Sequence, residues 1–278
     1  MRKFCYTNKT QKEKSMARII VITSGKGGVG KSSLSVIVGR ELAKRKKKVV
    51  LIDTDVGLNN LDVIMDVEKR VVYDIGDVLG ARCRLAQALT VDSEEENLYL
   101  LPSIKGYNDS LTSVGLKKIT TALSVKFDYV LIDCPAGIDE GFHRAVSCAN
   151  EAIVVTTPHL SAIKDASTVI KLLSSYKLNR VSYALNRVRG DMIVNLQMAD
   201  VDDITKALGL SPIGVIPESD EINSLSSVGN MLDENGLSAK AISLLCENIE
   251  NGTDKILDFT KKYRGFLGTI RRAIKTRI

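Results

Sequence analysis

Short apolar runs recur along the chain at intervals that fit alternating strands and helices. Several are apolar at every position, which is typical of strands that helices cover on both faces. Between two of them, Ile163–Tyr176 has apolar residues at helical spacing, with Val169, Ile170, Leu172 and Leu173 predicted to face inward. The pattern predicts an α/β fold with a doubly wound, mainly parallel sheet, helices on both faces and ligands at the carboxyl ends of its strands. The predicted strands are Ile19–Thr23, Val49–Ile52, Leu98–Leu101, Tyr129–Ile132, Ala152–Thr156, Val181–Leu185 and Ile213–Ile216.

The segment 261–278 has a different pattern, in which apolar residues recur at the i, i+3, i+4 spacing of a helix. Seven basic residues and no acidic residue accompany them. This pattern is typical of a C-terminal amphipathic helix that lies in an anionic membrane interface, and a terminal helix docked on the protein is the alternative. Gly265 and Gly268 each cost a helix about 1 kcal/mol relative to Ala, so we expect the segment to fold only on lipid. The predicted membrane contacts are Tyr263, Phe266, Leu267, Ile270 and Ile274.

Net charge divides the chain into three parts. The whole chain carries +6, of which +4 lies in residues 1–15 and +7 in residues 261–278, so the body between them carries −5. We therefore predict a disordered N-terminal extension over 1–15, one domain over 16–260 and a membrane-targeting helix over 261–278. The acidic body lacks the basic surface that nucleic-acid binding requires, so no nucleic-acid partner is expected.

Other bulk features favour a cytoplasmic location. The five cysteines are scattered without a C-x-x-C pair, which favours a reducing compartment and argues against a zinc site or a disulfide framework. No apolar run approaches the roughly 18 residues of a transmembrane helix. Residues 1–15 lack the apolar centre of a secretory signal.

A glycine-rich motif follows the first apolar run. Residues 24–33 read S-G-K-G-G-V-G-K-S-S and precede apolar residues at helical spacing, so strand, turn and helix succeed one another as a Walker A phosphate loop requires. The glycines let backbone N–H groups converge on phosphate oxygens at the positive end of the helix. Lys31 is predicted to reach the β- and γ-phosphates and Ser32 to bind Mg²⁺, which defines a P-loop NTPase. The predicted nucleotide contacts here are Gly25, Lys26, Gly27, Gly28, Val29, Gly30, Lys31, Ser32 and Ser33.

Acidic residues end two further apolar runs. Asp53 and Asp55 follow the second run and point the same way by strand periodicity, and Asp133 ends a later run in the Walker B manner. The residues leave two alternatives for Asp53 and Asp55: one holds the water shell of Mg²⁺ while the other orients an attacking water, or both belong to a solvated acidic turn. Asp133 is predicted to contact Mg²⁺ through water, since Mg²⁺ sheds its hydration reluctantly. Gly137 is expected to let the segment after Asp133 approach the γ-phosphate closely.

The loop holds a second lysine, Lys26, that an ordinary phosphate loop does not need. The pattern K-G-G-x-G-K-[ST] at residues 26–32 resembles the deviant Walker A loop of the MinD/ParA family of ATPases. In that family the extra lysine reaches the nucleotide of the partner subunit. The resemblance implies ATP and Mg²⁺ as cofactors and a trans role for Lys26.

The similarity to MinD-like proteins runs from Met16 to the C-terminus and includes residues 69–74 and 97–102. The pattern D-x-D-x-G-L-x-N-L-D at residues 53–62 resembles their switch I segment. The resemblance implies that Asp55 positions the hydrolytic water, that Asp53 supports Mg²⁺ and that Asn60 lies in a switch facing the dimer partner. The predicted catalytic residues are therefore Lys26, Lys31 and Asp55, and the predicted metal contacts are Ser32, Asp53 and Asp133.

Two further surfaces are assigned by the same resemblance. Asn186, Pro217 and Glu218 stand at later strand ends where MinD-like proteins hold adenine, and ordinary turn chemistry is the alternative at these three positions. The helix entry at residues 161–165 is similar to the face that MinD-like proteins offer to regulatory partners. Lys164 replaces an Arg found in some relatives, which leaves the identity of the partner open.

The resemblance implies a slow ATP hydrolase that forms a homodimer on ATP and presents two tails together to an anionic membrane. Such a protein places a MinC-like division inhibitor and answers to a MinE-like or other topological regulator. It would lie on the inner face of the cell membrane, or in the plastid stroma of a eukaryote. Two alternatives are a ParA-type DNA or cargo partitioning ATPase, which the acidic body disfavours, and a nucleotide-gated membrane tether with little hydrolysis, which Asp55 disfavours.

Overall fold

A computed structural model describes residues 16–57, 61–105, 111–222 and 236–265, together with Gly268. Within these residues the backbone forms a single mixed sheet. Its strands are β1 (Arg18–Thr23), β2 (Val49–Asp53), β3 (Thr90–Val91), β4 (Leu98–Leu101), β5 (Tyr129–Asp133), β6 (Glu151–Thr156), β7 (Arg180–Val188) and β8 (Pro212–Pro217).

Helices occupy most of the connections between these strands. Short 3₁₀ turns lie at Glu68–Arg70, Leu85–Gln87 and Lys261–Tyr263. The α-helices of the described residues are α1 (Lys31–Lys44), α2 (Leu61–Ile64), α3 (Ile75–Leu79), α4 (Ser113–Ser124), α5 (Glu140–Val146), α6 (Leu160–Leu173), α7 (Gly190–Val194), α8 (Val201–Leu208) and α9 (Leu237–Asn251).

The sheet has the order β3-β4-β2-β5-β1-β6-β7-β8 and is parallel except for β3, which pairs antiparallel with β4. From β1 the chain first runs toward one edge of the sheet, through β2, β3 and β4. It then returns through β5 and continues toward the opposite edge through β6, β7 and β8. Right-handed crossovers in opposite directions put helices on opposite faces. Accordingly α1 packs with α9, while α4 packs with α5 and α6 packs with α8. The predicted doubly wound fold is confirmed.

The core is the sheet itself, covered from both sides. Every residue of β2 and β5 is buried, as the continuous apolar runs predicted. In α6, Val169 and Leu173 are buried, while Ile170 and Leu172 are partly buried against the core. This helix begins at Leu160 and ends at Leu173, three residues earlier at each end than predicted.

Two departures from the predicted strands occur where the apolar pattern is weak. The edge strand β3 is only two residues long, too short for periodicity to reveal. Strand β7 continues to Val188, three residues past the predicted end. Its register against β8 shifts between Leu185 and Val188, where Arg187 has a φ of +59°. The strand was predicted to end early because the apolar run stops at Leu185, where the polar residues Asn186 and Arg187 follow.

The chain that leads from α9 to the C-terminal segment is held against the rest of the domain by hydrogen bonds and close packing. The buried side chain of Asn248, near the end of α9, donates to the carbonyls of Ile213 and Lys255 and accepts from Thr253 Oγ1 and the Lys255 amide. Farther on, the chain passes so close to α7 that a Cβ on Gly190 would lie 2.1 Å from the Phe259 carbonyl oxygen. None of the helices in the described residues has the length and apolarity needed to cross a membrane.

Candidate nucleotide-binding site

Three adjacent strands, β2, β5 and β1, bring the predicted site together at their carboxyl ends. Asp133 is the register partner of both Asp53 on β2 and Ile22 on β1. The phosphate loop follows β1 directly, so it lies beside both carboxylates. The prediction that these three segments meet at one edge of the sheet is confirmed.

The phosphate loop ends at Gly30, which has a φ of +88° and caps α1. Glycine is suited to this left-handed conformation because it has no Cβ. A Cβ here would also lie 2.4 Å from Nδ2 of Asn186, which donates to the Val29 carbonyl at 2.9 Å. Asn186 on β7 therefore holds the loop from behind, and α1 begins at Lys31 with its first backbone N–H groups at the loop.

Asp133 is the centre of a buried polar cluster. Its Oδ1 lies 2.8 Å from Nζ of Lys31, and its Oδ2 accepts a hydrogen bond of 2.7 Å from the Ser32 hydroxyl. Oδ1 lies 2.8 Å from the hydroxyl of Ser35 as well. Lys31 is 8% exposed and Asp133 2%, so the ion pair is shielded from water. A buried charge pair of this kind persists only where each partner is well bonded.

Asp53 lies beside Asp133 and is equally buried. Burial, together with the nearby Asp133 carboxylate, raises the pKa of Asp53 to about 7, although the Asp55 amide donates to its Oδ1 at 2.9 Å. Two buried carboxylates repel each other, and the single charge of Lys31 offsets this repulsion only in part, so a further cation near them would be favoured. Oxygen donors of this kind suit Mg²⁺, which keeps several of its waters and uses few protein ligands. In the described part of the chain no group of three or more His, Cys, Asp or Glu has metal-binding geometry, so the fit rests on Ser32, Asp53 and Asp133 with water.

Asp55 stands just outside this cluster. It is half-exposed, unlike Asp53, and burial raises its pKa against the opposing effect of the Lys31 charge. The charges of Lys31 and Asp133 both act on the Asp55 carboxylate, which is also accessible to solvent. Such a carboxylate can orient a water molecule near the phosphate loop.

Lys26 takes no part in the Asp133 cluster. It is exposed, and no ion pair among the described residues uses its amine. Its carbonyl oxygen accepts a 3.0 Å bond from Ser24 Oγ, which shapes the loop around it. The loop therefore directs one lysine inward and the other toward solvent.

A cavity of about 250 Å³ adjoins the loop at the ends of β7 and β8. Asn186, Pro217 and Glu218, the predicted adenine contacts, all line it. Asn186 also holds the loop, as described above, and its Oδ1 accepts from the Arg187 amide at 2.9 Å. Gly30 and Ser33, which were predicted as nucleotide contacts of the loop, also line it. The other lining residues, Arg187, Ser219 and Ile222, were not predicted.

The segment after β5 is linked to both neighbouring strands. Gly137, with a φ of +96°, donates its N–H to the Ser24 carbonyl at 2.9 Å. Thr54 bonds the carbonyl oxygen of Asp133 through its amide at 3.1 Å and its hydroxyl at 2.7 Å. This segment therefore lies close to the phosphate loop, and Gly137 contacts it through backbone groups, while its predicted approach to the γ-phosphate stays a prediction.

Tyr263 lies in the body of the protein, which differs from its predicted place on an exposed membrane-facing stripe. It is 8% exposed and ends the 3₁₀ turn Lys261–Tyr263. It borders a small cavity together with Pro217, Glu218 and Phe259. Helical spacing predicted that Tyr263 packs against an apolar surface, but it does not distinguish a lipid surface from a protein surface. The other predicted membrane contacts, Phe266, Leu267, Ile270 and Ile274, lie outside the described residues, as do Asn60 and the extension 1–15.

Ser35, Thr54 and Arg187 belong to the site but were not predicted. Ser35 carries the clearest signal, since it lies four residues after Lys31 and so on the same face of α1. Thr54 and Arg187 have no comparable signal, because their roles depend on strand pairing and on a register shift.

A phosphate loop at the edge of a doubly wound sheet, with carboxylates on neighbouring strands, defines a P-loop nucleotide-binding protein. Residues 20–232 match the CbiA family, the CobQ/CobB/MinD/ParA nucleotide binding domain. The septum site-determining protein MinD of Synechocystis is 40% identical over 93% of this chain and 99% of its own length. The MinD of Bacillus subtilis is 42% identical over 77% of this chain and 81% of its own.

Solved structures agree with these matches. The MinC:MinD cell division protein complex of Aquifex aeolicus has a TM-score of 0.79 and 38% identity, covering 87% of this chain and 98% of that chain. MinD complexed with Mg-ADP from Pyrococcus horikoshii has a TM-score of 0.76 and 28% identity, covering 84% of this chain and 96% of that chain. The chain belongs to the MinD/ParA family of P-loop ATPases, and MinD proteins are among its relatives.

Proposed function

We propose that this protein is a MinD-type ATPase that binds Mg²⁺-ATP, dimerises on it and hydrolyses it slowly. The observation that carries the proposal is the loop itself, in which Lys31 and Ser32 lie on Asp133 while Lys26 is left at the surface. One lysine thus serves the chain's own nucleotide, and the other is available to a second subunit. The complex of Mg²⁺ and ADP with a MinD relative supports the choice of cofactors.

Each residue of the site has a distinct task in this proposal. The loop amides and Lys31 hold the phosphates, and the base occupies the cavity lined by Asn186, Pro217 and Glu218. Ser32, Asp53 and Asp133 would hold Mg²⁺, which neutralises phosphate charge when bound. Asp55 orients the attacking water, and hydrolysis stays slow until a partner completes the site.

We further propose that the protein places a division inhibitor at the membrane to select the division site. The relatives named septum site-determining proteins and the MinC:MinD complex support this role and a MinC-like partner. The basic segment 261–278 would supply the membrane contact, on the inner face of the cell membrane or in a plastid, and a MinE-like or other regulator would stimulate release. A dimer presents two such segments at once, which strengthens a weak anchor through effective concentration.

Vesicle sedimentation tests this function most directly. The full chain should pellet with phosphatidylglycerol-containing vesicles in Mg²⁺-ATP, and far less with ADP or without nucleotide. Equal pelleting under the three conditions would mean a constitutive anchor and would remove the nucleotide-timed cycle from the proposal. ATP-dependent retention on DNA without vesicle binding would favour a ParA-type partitioning role.

Replacing Asp55 with Ala is expected to lower ATP turnover about 100-fold, because water positioning of this kind contributes about 10²- to 10⁴-fold. Nucleotide affinity should stay within about threefold of the wild type, since Asp55 lies outside the Lys31–Asp133 cluster. Phosphate release under saturating ATP and vesicles measures the first quantity, and a titration with fluorescent ADP measures the second. Asp55→Asn, which keeps the shape but not the charge, should behave like Asp55→Ala. Unchanged turnover in either variant would remove Asp55 from catalysis.

Lys26→Ala is expected to weaken ATP-dependent dimerisation by about tenfold or more while leaving monomer affinity for nucleotide nearly unchanged, because Lys26 is exposed and takes no part in the Asp133 cluster of its own chain. Light scattering after gel filtration measures the dimer. Lys118 is also an exposed lysine but lies on α4, so Lys118→Ala is the matched control and should dimerise normally.

A mixture of Lys26→Ala and Asp55→Ala chains separates a trans role from a cis role. In a mixed dimer, the Lys26→Ala chain keeps its own Asp55 and the Asp55→Ala chain keeps its own Lys26. If Lys26 acts across the dimer, these two residues meet in one complete active site, so mixing the two chains restores turnover. If Lys26 acts in its own site, each of the two active sites lacks either Lys26 or Asp55 and turnover stays low. Absence of any restored activity, with mixed dimers verified, would contradict the trans role.

A further inference from the structure

Ser35 occupies a buried position that the phosphate-loop motif does not include. Its side chain is fully buried one helical turn after Lys31 in α1. Its Oγ lies 2.8 Å from Oδ1 of Asp133 and 3.0 Å from the carbonyl oxygen of Lys31. A hydroxyl has one proton to donate, and a carboxylate is a stronger acceptor than a carbonyl. Ser35 therefore donates to Asp133.

The two oxygens of Asp133 are held differently. Oδ2 accepts from Ser32, the residue assigned to Mg²⁺. Oδ1 has two donors, the Lys31 ammonium at 2.8 Å and the Ser35 hydroxyl at 2.8 Å. The carboxylate is thus fixed at both ends, and the end away from Ser32 has an additional donor.

The additional donor matters because Lys31 has two competing tasks. The ammonium that pairs with Asp133 is the one that the nucleotide phosphates require. When it turns to a phosphate, Oδ1 loses its charged partner and, of the side-chain donors in the described residues, keeps the Ser35 hydroxyl alone. Without Ser35, this buried carboxylate oxygen would lose that donor as well, which costs free energy and lets the group rotate away from Ser32.

We propose that Ser35 is a positioning residue for Mg²⁺-nucleotide binding, holding Oδ1 of Asp133 so that Oδ2 stays on Ser32 when Lys31 transfers to the phosphates. The inference deepens the proposed function and rests on it, because it presupposes that nucleotide and Mg²⁺ bind at this cluster. Ser35 touches neither of them and acts only through Asp133.

The test measures nucleotide affinity with and without Mg²⁺ by fluorescence titration with N-methylanthraniloyl-ADP. In Ser35→Ala we expect the affinity in Mg²⁺ to fall about tenfold and the affinity in EDTA to stay at the wild-type value, because the lost bond serves only the metal side of the site. Ser35→Thr retains the hydroxyl and should restore the Mg²⁺-dependent affinity. Melting temperatures of all variants verify that they are folded.

Ser124→Ala is the matched control, since Ser124 is also a buried helical serine, but its hydroxyl donates to the Thr121 carbonyl of α4, at 2.8 Å, and not to a carboxylate. It should leave both affinities unchanged. An equal loss in Mg²⁺ and EDTA would show that Ser35 only supports the loop, and no loss in either would show that Asp133 needs no such support. Either result overturns the inference, as does a folded Ser35→Thr that fails to restore binding. Absence of binding by the wild type would instead overturn the proposed function, and the inference with it.

Discussion

Lys31→Ala is expected to lower nucleotide affinity at least about 100-fold, the largest effect of any single substitution in the site. The variant loses the ammonium that compensates the phosphate charge, and a lost charge-assisted bond of about 3 kcal/mol corresponds to roughly that factor. The same titration with fluorescent ADP measures it. Binding within about threefold of the wild type would contradict the assignment of the phosphate loop.

This variant needs a stability control, because Lys31 also pairs with Asp133 inside the protein. Removing one partner of a buried pair leaves an uncompensated charge, so we expect the free energy of unfolding to fall by about 3 kcal/mol. Adding Asp133→Asn removes that charge and should recover most of the loss in urea titrations. The double variant should still fail to bind nucleotide, which separates the loss of binding from the loss of stability.

Deletion of residues 266–278 is expected to abolish binding to phosphatidylglycerol vesicles and to leave folding and nucleotide affinity unchanged. The deletion begins after Gly265 because Tyr263 belongs to the folded body, so a cut at Lys261 would also remove a buried aromatic side chain. The segment removed carries four basic residues, each contributing about 1 kcal/mol near an anionic surface. In the intact chain, binding should weaken with salt, since such charges are screened over about 10 Å.

Two point substitutions distinguish the parts of this segment. Phe266→Glu should reproduce the loss of vesicle binding without changing stability, because it places a charge on the predicted lipid-facing stripe. Tyr263→Ala should lower the free energy of unfolding by about 3 kcal/mol, as expected for a buried aromatic residue. Vesicle binding by the deletion, or by Phe266→Glu, at the wild-type level would mean that the basic segment is not the membrane anchor.

Much of the site could be predicted because its parts are local in sequence. Residues 24–33 specify the end of a strand, a glycine-rich turn and the start of a helix. A carboxylate that ends a buried strand can be located as soon as that strand is predicted. Parallel topology then brings Asp53 and Asp133 to the same edge, since the carboxyl ends of parallel strands coincide. For this reason the phosphate loop, Asp53 and Asp133 were all found in the predicted arrangement.

The contacts that could not be predicted depend on which strands are neighbours and on small shifts between them. Asn186 reaches the loop only because the register of β7 puts its amide behind Gly30, and Arg187 enters the cavity only at a register shift. Thr54 and Ser35 act on Asp133 because β2 and α1 both border β5. Such contacts join residues far apart in sequence, and hydrophobic periodicity contains no information on them.

The sequence by itself determined the fold class, the phosphate loop and the two buried carboxylates, because each follows from local spacing combined with the rules of parallel sheets. Only the tertiary structure decided which polar side chains complete the Asp133 cluster. It also decided that Tyr263 belongs to the protein interior. An apolar side chain at helical spacing gains free energy from any surface that excludes water, and protein and lipid both do so. The docking of the preceding chain against α7 places Tyr263 beside protein.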